Sequence, residues 1–371
     1  MNILLAISWV SLNLRDPSSV TTRKDSSNSS KSSCSAFNAT STPCSGLAKG
    51  DIIAFVAPAS GLAALVSHRL TKAGTELERL GFRVKVYPSV TREPQDSTKV
   101  QGGKPDAADR AACSAYSSTD AETRADELMQ AFRDPDVKAI ICTIGGFTST
   151  KSWNISTSTS LQCTRRSFVG SRILRHSISP CMPSHSCAAS TALPPSSIGG
   201  VSRAIVVHHT SFLNAVQSMD PLGDVAPSTE WTDDKTANWF TRADITYQDK
   251  MKPNLGYTWL RSGTAEGPIL GGCLPTLLQF DQGMALSDVN VALGWLRADG
   301  TFKKIRGLIV GRAFAYSEAQ VEGFQRLIRH HTRGTSFPVL YGVDVGHTNP
   351  IATIPLGCLA ELDAAPTRLK F

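Results

Sequence analysis

The chain has 371 residues, is 41% hydrophobic and 19% charged, and carries a net charge of +7. That length suits about two domains with a sizeable core, and no apolar run reaches the ~18–20 residues of a membrane span, so no transmembrane helix is expected. The charge does not point to nucleic acid. None of the 31 acids lies between Asp136 and Asp220, whereas Lys138, Lys151, Arg165, Arg166, Arg172, Arg175 and Arg203 do, and these seven basics equal the whole net charge. Outside that stretch the protein is balanced, so no basic face for an anionic partner is expected.

In chain order, the opening MNILLAISWVSLNL is apolar over the length of a leader peptide. It has neither a basic n-region nor a small-x-small cleavage site, so it does not read as a secretion signal. Ser, Thr and Asn dominate the stretch after it, and residues 1–48 read as a disordered tail. From 49 the pattern is regular. GDIIAFVAPAS predicts a buried strand ending at Pro58–Ser60, and ALVSHRLTKAGTELERLGF a helix closed by Gly81. RVKVYPSV reads as a second strand, TDAETRADELMQAFRDP as a helix capped by Thr119 or Asp120, and VKAIICTIGG as a strand broken at Gly145-Gly146. This short alternation predicts an α/β fold with a doubly wound parallel sheet over 49–200, with ligands at the carboxyl ends of its strands.

Residues 151–200 break the pattern, having no period of 2 or 3.6. Within them, Phe168-Val169-Gly170 reads as the end of a buried strand handing over to a tight turn. Order returns with a helix in TSFLNAVQSMD, inside a connector over 201–258. A smaller, β-rich mixed α/β domain is expected over 259–371, with a helix capped by Ser287 and ended by Gly300, a helix in EAQVEGFQRLIRHH, and a strand in FPVLYGVDVGH. The nine cysteines contain no CxxC pair, so no metal site is expected, and their odd number fits a reducing, cytoplasmic setting. Neither GxGxxG nor GxxxxGK[ST] is present, which argues against a phosphate-binding loop at Gly145-Gly146.

Five stretches in order, KGDIIAFVAPAS, RADELMQAFRDPDVKAIICTIGGFTS, WLRSGTAEGPILGGCL, GTFKKIRGLIVGR and VDVGHTNPIATIPLG, together resemble the LD-carboxypeptidase family of serine peptidases, above all its microcin C self-immunity branch. The resemblance implies a Ser-His-Glu triad split across two domains, a small peptide or peptidyl-nucleotide substrate, no metal or other cofactor, and a homodimer as in many relatives. His347 matches the family's G-H-T-[DN]-P motif, and a histidine held in a Gly-rich turn at a strand end suits a proton shuttle near neutral pH. Taken alone it would read as a surface turn residue. Gly145 and Gly146 match a loop whose N–H groups form the oxyanion hole in relatives, and taken alone would read as a tight turn.

The nucleophile region departs from the family. After Gly170, relatives carry an aromatic residue, Ser and Asp; here Ser171, Arg172 and Ile173 follow. With codons the genetic code allows, Ser171–Ser179 read one base away becomes [YF]-S-D-I-T-A-L-H-F. Ser152–Ser167 similarly becomes E-L-E-H-L-D-F-D-L-I-A-M-H-P-K-I. Both readings regain acids, which is the pattern of a one-base shift in reading frame. Ser171 is thus a candidate nucleophile set one residue early. The strand that ends in the family's Glu is missing after Phe280, and neither Asp281, Asp288 nor Glu266 stands at its position, so no orienting carboxylate is assigned. Two readings stay open, a serine hydrolase of this family and a catalytically dead relative.

Overall fold

The computed structural model describes residues 3–7, 46–94, 117–144, 167–169, 188–189, 203–218, 221–234, 247, 249–272 and 285–371. Strand β1, Ile3–Ile7, lies in the segment expected to be a tail. Strand β2 (Ile52–Val56) is followed by a helical turn at Leu62–Leu65, helix α1 (Ser67–Arg79), strand β3 (Arg83–Val86) and a turn at Pro88–Thr91. Helix α2 (Ala121–Arg133) and strands β4 (Val137–Cys142), β5 (Ser167–Val169) and β6 (Ala188–Ala189) come next, then helix α3 (Arg203–Gln217). Four strands follow: β7 (Glu230–Trp231), β8 (Lys252–Pro253), β9 (Thr258–Arg261) and β10 (Ala265–Gly272). The chain then forms helix α4 (Leu286–Ala298), a turn at Thr301–Lys304, strand β11 (Ile305–Arg312), helix α5 (Glu318–His331) and strand β12 (Val339–Gly346). It closes with strands β13 (Pro355–Leu356), β14 (Leu359–Ala364) and β15 (Thr367–Lys370).

Local chemistry explains the element ends. In α1 the buried Leu70, Ala73 and Leu77 recur on one face. Gly81 then takes φ +97°, while Phe82 N–H donates to the Leu77 carbonyl at 3.0 Å and stops the helix. Asp120 is the cap of α2, its carboxylate accepting from Thr123 N–H at 2.7 Å and from the Thr123 hydroxyl at 2.8 Å. The expected Ser287 cap of α4 gives way to Ala285, because the Asp288 carboxylate accepts from Ala285 N–H at 3.1 Å and places Ser287 inside the first turn. Gly300, with φ +79°, ends that segment as expected.

The fold is α/β, with a parallel N-terminal sheet and a mixed C-terminal one. The first sheet runs β3-β2-β4-β5-β6-β13, parallel from β3 to β6. Alternate residues serve its two faces. Ile53, Phe55 and Ile141 pack with Leu70 and Leu77 of α1 and Phe212 and Val216 of α3, while Ala54, Val56 and Ile140 pack with Leu128 and Phe132 of α2. Part of the expected connector, α3, therefore lies in the N-terminal core. The chain leaves β2 towards β3 and returns on the other side of β2 to β4, which makes the β2–β4 junction the topological switch point.

The second sheet runs β15-β14-β10-β1-β11-β12-β9, with β10, β1, β11 and β12 parallel. Leu308, Val310, Val339 and Tyr341 face α4 and α5, and Ile269, Ile309, Leu340 and Val343 face the opposite cluster with Leu362 and Leu369. Two strands cross the expected division of the chain. The N-terminal β1 is central in the C-terminal sheet, and β13 pairs antiparallel with β6 in the N-terminal sheet. Among the described residues no helix is long and apolar enough to cross a membrane.

Candidate active site

At the switch point, the carboxyl end of β2 is anchored by Arg124 of α2. Its guanidinium donates to the Ala59 carbonyl at 2.8 Å and to the Ser117 hydroxyl at 3.2 Å. Beside it the Ser60 hydroxyl accepts from Leu62 N–H at 3.1 Å. The neighbouring end of β4 is pinned where Thr143 N–H donates to the Val56 carbonyl at 3.0 Å. These two rigid ends are where the strand-end loops were expected. Gly145 and Gly146, which follow directly, lie outside the described residues.

Strand β5 places Phe168-Val169 in a strand, Phe168 pairing with Ile140 and Val169 with Ile141, while Gly170 and the expected turn lie outside the described residues. It therefore brings the chain to the edge at which β4 ends. Ser171, two residues further, lies outside the described residues.

His347 leaves the carboxyl end of β12, and its support is built from β11 and β12 together. Gly311 of β11 approaches β12 so closely that a Cβ there would stand 2.1 Å from the Val345 carbonyl oxygen. In β12 the ladder shifts register past Val310, and Gly342 and Gly346 take φ +82° and +124°. Only glycine adopts such angles without strain. The bulged strand turns out at His347, whose ring lies 6.1 Å from that of Phe314, tilted by 50°.

Beneath this turn is a buried ion pair. Arg312 Nη2 lies 2.8 Å from Asp344 Oδ1, with the side chains 9% and 3% exposed. Arg312 also donates to the Gly342 carbonyl at 3.1 Å and to the Thr348 hydroxyl at 3.4 Å. Asp344 Oδ2 accepts from Ser228 N–H at 2.7 Å, and the Asp344 carbonyl accepts from Ala352 N–H at 2.6 Å. The Arg312 guanidinium lies 4.7 Å above the Trp231 ring, and Lys252 Nζ also lies 4.7 Å from that ring. Burial, and next the Asp344 carboxylate, push the Tyr257 phenol far above its ordinary value, and burial pushes Tyr341 up to about 12. The phenols are thus neutral at physiological pH around a self-compensated charge pair. Sequence reading missed this pair, although an acid inside the apolar run FPVLYGVDVGH is a signal that a buried cation must face it.

The acids weighed as orienting groups separate clearly. Glu266 pairs with Glu361 at the amino end of β10, three residues before Ile269, whose partner Leu4 aligns with Gly307. The His347 end of the sheet lies at Arg312, so Glu266 belongs to the opposite edge. Asp288 is committed to the α4 cap, and Asp281 lies outside the described residues. Among the described residues no cluster of three or more His, Cys, Asp or Glu side chains could hold a metal ion.

The segment after His347 returns to the first sheet. Thr353 N–H donates to the Ser211 hydroxyl of α3 at 2.7 Å, and Pro355 and Leu356 pair with Ala189 and Ala188 of β6, whose other neighbour is β5. The histidine turn is thus tethered at one end to β12 and at the other to the strand beside β5.

A parallel doubly wound sheet and a mixed sheet, linked by the segment that follows His347, define a class of two-sheet α/β proteins, and sequence comparison narrows it. Residues 53–171 match the LD-carboxypeptidase N-terminal domain and residues 276–362 the LD-carboxypeptidase C-terminal domain, together more than half of the 371 residues. The chain belongs to the LD-carboxypeptidase family of serine peptidases. It is 27% identical over 347 residues to YocD of Bacillus subtilis strain 168, covering 86% of this chain and 95% of YocD. In fold it is similar to an MccF-like protein from Bacillus anthracis, with TM-score 0.70, 24% identity, and 89% of this chain and 98% of that one covered. The microcin C7 self-immunity protein MccF is similar to the same extent, with 20% identity and TM-scores of 0.70 with aspartyl sulfamoyl adenosine and 0.71 with glutamyl sulfamoyl guanosine; the matches cover 89% of this chain and 98% of MccF.

Proposed function

We propose that the protein is a serine hydrolase that cleaves an amide beside an acidic residue, in a cell-wall-type peptide or a peptidyl-nucleotide conjugate. The observation that carries this reading is the path of the histidine turn, anchored on β12 by the Arg312–Asp344 pair and on β6 through β13, next to the strand that leads towards Ser171. The ligands of the MccF structures, an aspartyl and a glutamyl group on sulfamoyl nucleosides, support a substrate joining an acidic residue to a nucleoside.

In this mechanism His347 accepts the proton of the Ser171 hydroxyl as the oxygen attacks the substrate carbonyl carbon. The N–H groups of Gly145 and Gly146 receive the oxyanion, and the imidazolium returns its proton to the leaving amine as the C–N bond breaks. Water, deprotonated by His347, then releases the acid from the serine ester. The third member of the triad stays unassigned.

A second reading, a catalytically dead relative, is favoured by one observation: Ser171, Arg172 and Ile173 follow Gly170 where the resemblance implies an aromatic residue, Ser and Asp. A one-residue displacement in a tight turn moves a hydroxyl by several ångströms, which is enough to remove most of the rate. The two readings separate by assaying hydrolysis of an aspartyl-adenylate-type amide alongside calorimetric binding of its sulfamoyl analogue. A hydrolase loses roughly 10²–10⁴-fold in rate in both Ser171→Ala and His347→Ala. Binding without turnover identifies the dead relative, and turnover unchanged in both variants removes the triad.

A further inference from the structure

We infer that Asp233 is a positioning residue for His347, acting through the backbone of Ala315 and the ring of Phe314. The inference rests on the reading of His347 as the proton shuttle of the proposed hydrolase. The segment from β7 onward meets the histidine turn and its supports residue by residue. The Arg312 guanidinium stands 4.7 Å from the Trp231 ring and donates to the Thr348 hydroxyl at 3.4 Å. Thr232 and Asn349 form an antiparallel bridge in which each N–H donates to the other's carbonyl, at 2.8 and 2.9 Å. Asp233 reaches the loop after β11 instead. Its Oδ2 accepts from Ala315 N–H at 3.2 Å, and Ala315 follows Phe314, whose ring lies 6.1 Å from that of His347.

Ala315 is where this geometry needs a support. Its φ of +59° is the left-handed conformation, which no other non-glycine residue among those described adopts. A backbone of that kind persists only where its surroundings hold it, and such residues gather at sites that require a fixed geometry. The Asp233 carboxylate supplies the hold. It is 10% exposed, and Lys252 Nζ lies 2.6 Å from its Oδ1, so its two oxygens are divided between one cation and one backbone donor. Lys252 is itself fixed opposite Trp231 in the β7–β8 pair. Thr232 acts through backbone atoms and Trp231 through Arg312. Asp233 is the one of the three whose side chain bonds to the loop that carries Phe314. Without it Ala315 relaxes towards negative φ, Phe314 moves with it, and the imidazole loses the ring beside it.

Asp233→Ala should lower kcat for an aspartyl-adenylate-type amide roughly 10–100-fold and leave KM within about twofold, because a displaced proton shuttle affects the reaction and not ground-state binding. Asp233→Asn keeps an oxygen for Ala315 N–H and should retain most of the rate. Adding Ala315→Gly to Asp233→Ala should restore kcat towards that level, since glycine takes the left-handed conformation without support. The His347 imidazole signal in NMR of histidine-labelled protein, assigned by its loss in His347→Ala, reads the same geometry without turnover. It should shift in Asp233→Ala and return in the double variant. An unchanged kcat, or an unshifted signal in folded Asp233→Ala protein, overturns the inference. A native protein that hydrolyses nothing while the signal still shifts overturns the hydrolase reading and leaves the positioning standing. If Asp233→Ala does not fold, the exposed position 315 decides. Ala315→Val, strained at a positive φ, should shift the signal and Ala315→Gly should not, and identical His347 signals in the two overturn the inference.

Discussion

Asp344 shows how one residue sets the site. It is 3% exposed in a strand otherwise made of apolar groups, and its charge is held by Arg312 and Ser228 N–H. Breaking such a pair leaves a buried cation, a loss of about 3–5 kcal/mol. Asp344→Asn should therefore lower the free energy of unfolding by that order in urea denaturation. The double variant with Arg312→Met should lose clearly less than the sum of the single variants, and additive losses would show that the two side chains do not stabilise each other. That a strand ends in a glycine turn at His347 was legible because the run FPVLYGVDVGH is contiguous. Arg312 was not, since it stands on a different strand 32 positions before Asp344, and no local period relates the two.

At the scale of elements, what the sequence made plain was what neighbouring residues decide. The buried runs of β2 and β4, the apolar stripe of α1 and the glycine that ends it, and the strand leading to Val169 all stand where their patterns put them. Caps are settled by competition between nearby side chains, which is why Asp288 displaced Ser287. Helix α2 offers a test. Hydrogen bonds from Thr123 hold the Asp120 carboxyl down to about 2, below the ~3.9 of an unfolded chain. A depressed carboxyl stabilises the fold above the unfolded value and loses that contribution as pH falls through the folded one. The stability difference between the native protein and Asp120→Ala should be about 1 kcal/mol at pH 6 and shrink towards zero as pH falls from about 4 to 2. A difference that does not change with pH would mean that the cap acts through shape rather than charge.

For the whole molecule, long-range pairing overrides the order of the chain. A division into tail, first domain, connector and second domain is natural to a linear reading. The structure instead sends the first strand into the last sheet and β13 into the first. Neither exchange has a local signature, because register between distant strands is set by which edges are left unpaired. Each sheet thus contains chain from the other part of the sequence, and the two should unfold together. Scanning calorimetry should show one transition with matching calorimetric and van't Hoff enthalpies, whereas two separated transitions would mean that the exchanged strands add little coupling. The placement of β1 also matters during synthesis. Leu4 is synthesised some 265 and 303 residues before its partners Ile269 and Gly307, roughly 15–60 s at cellular elongation rates. Through that interval an apolar β-forming pentapeptide has no native neighbour. How it is shielded while the nascent chain grows therefore bears on the yield of soluble protein before any question of catalysis arises.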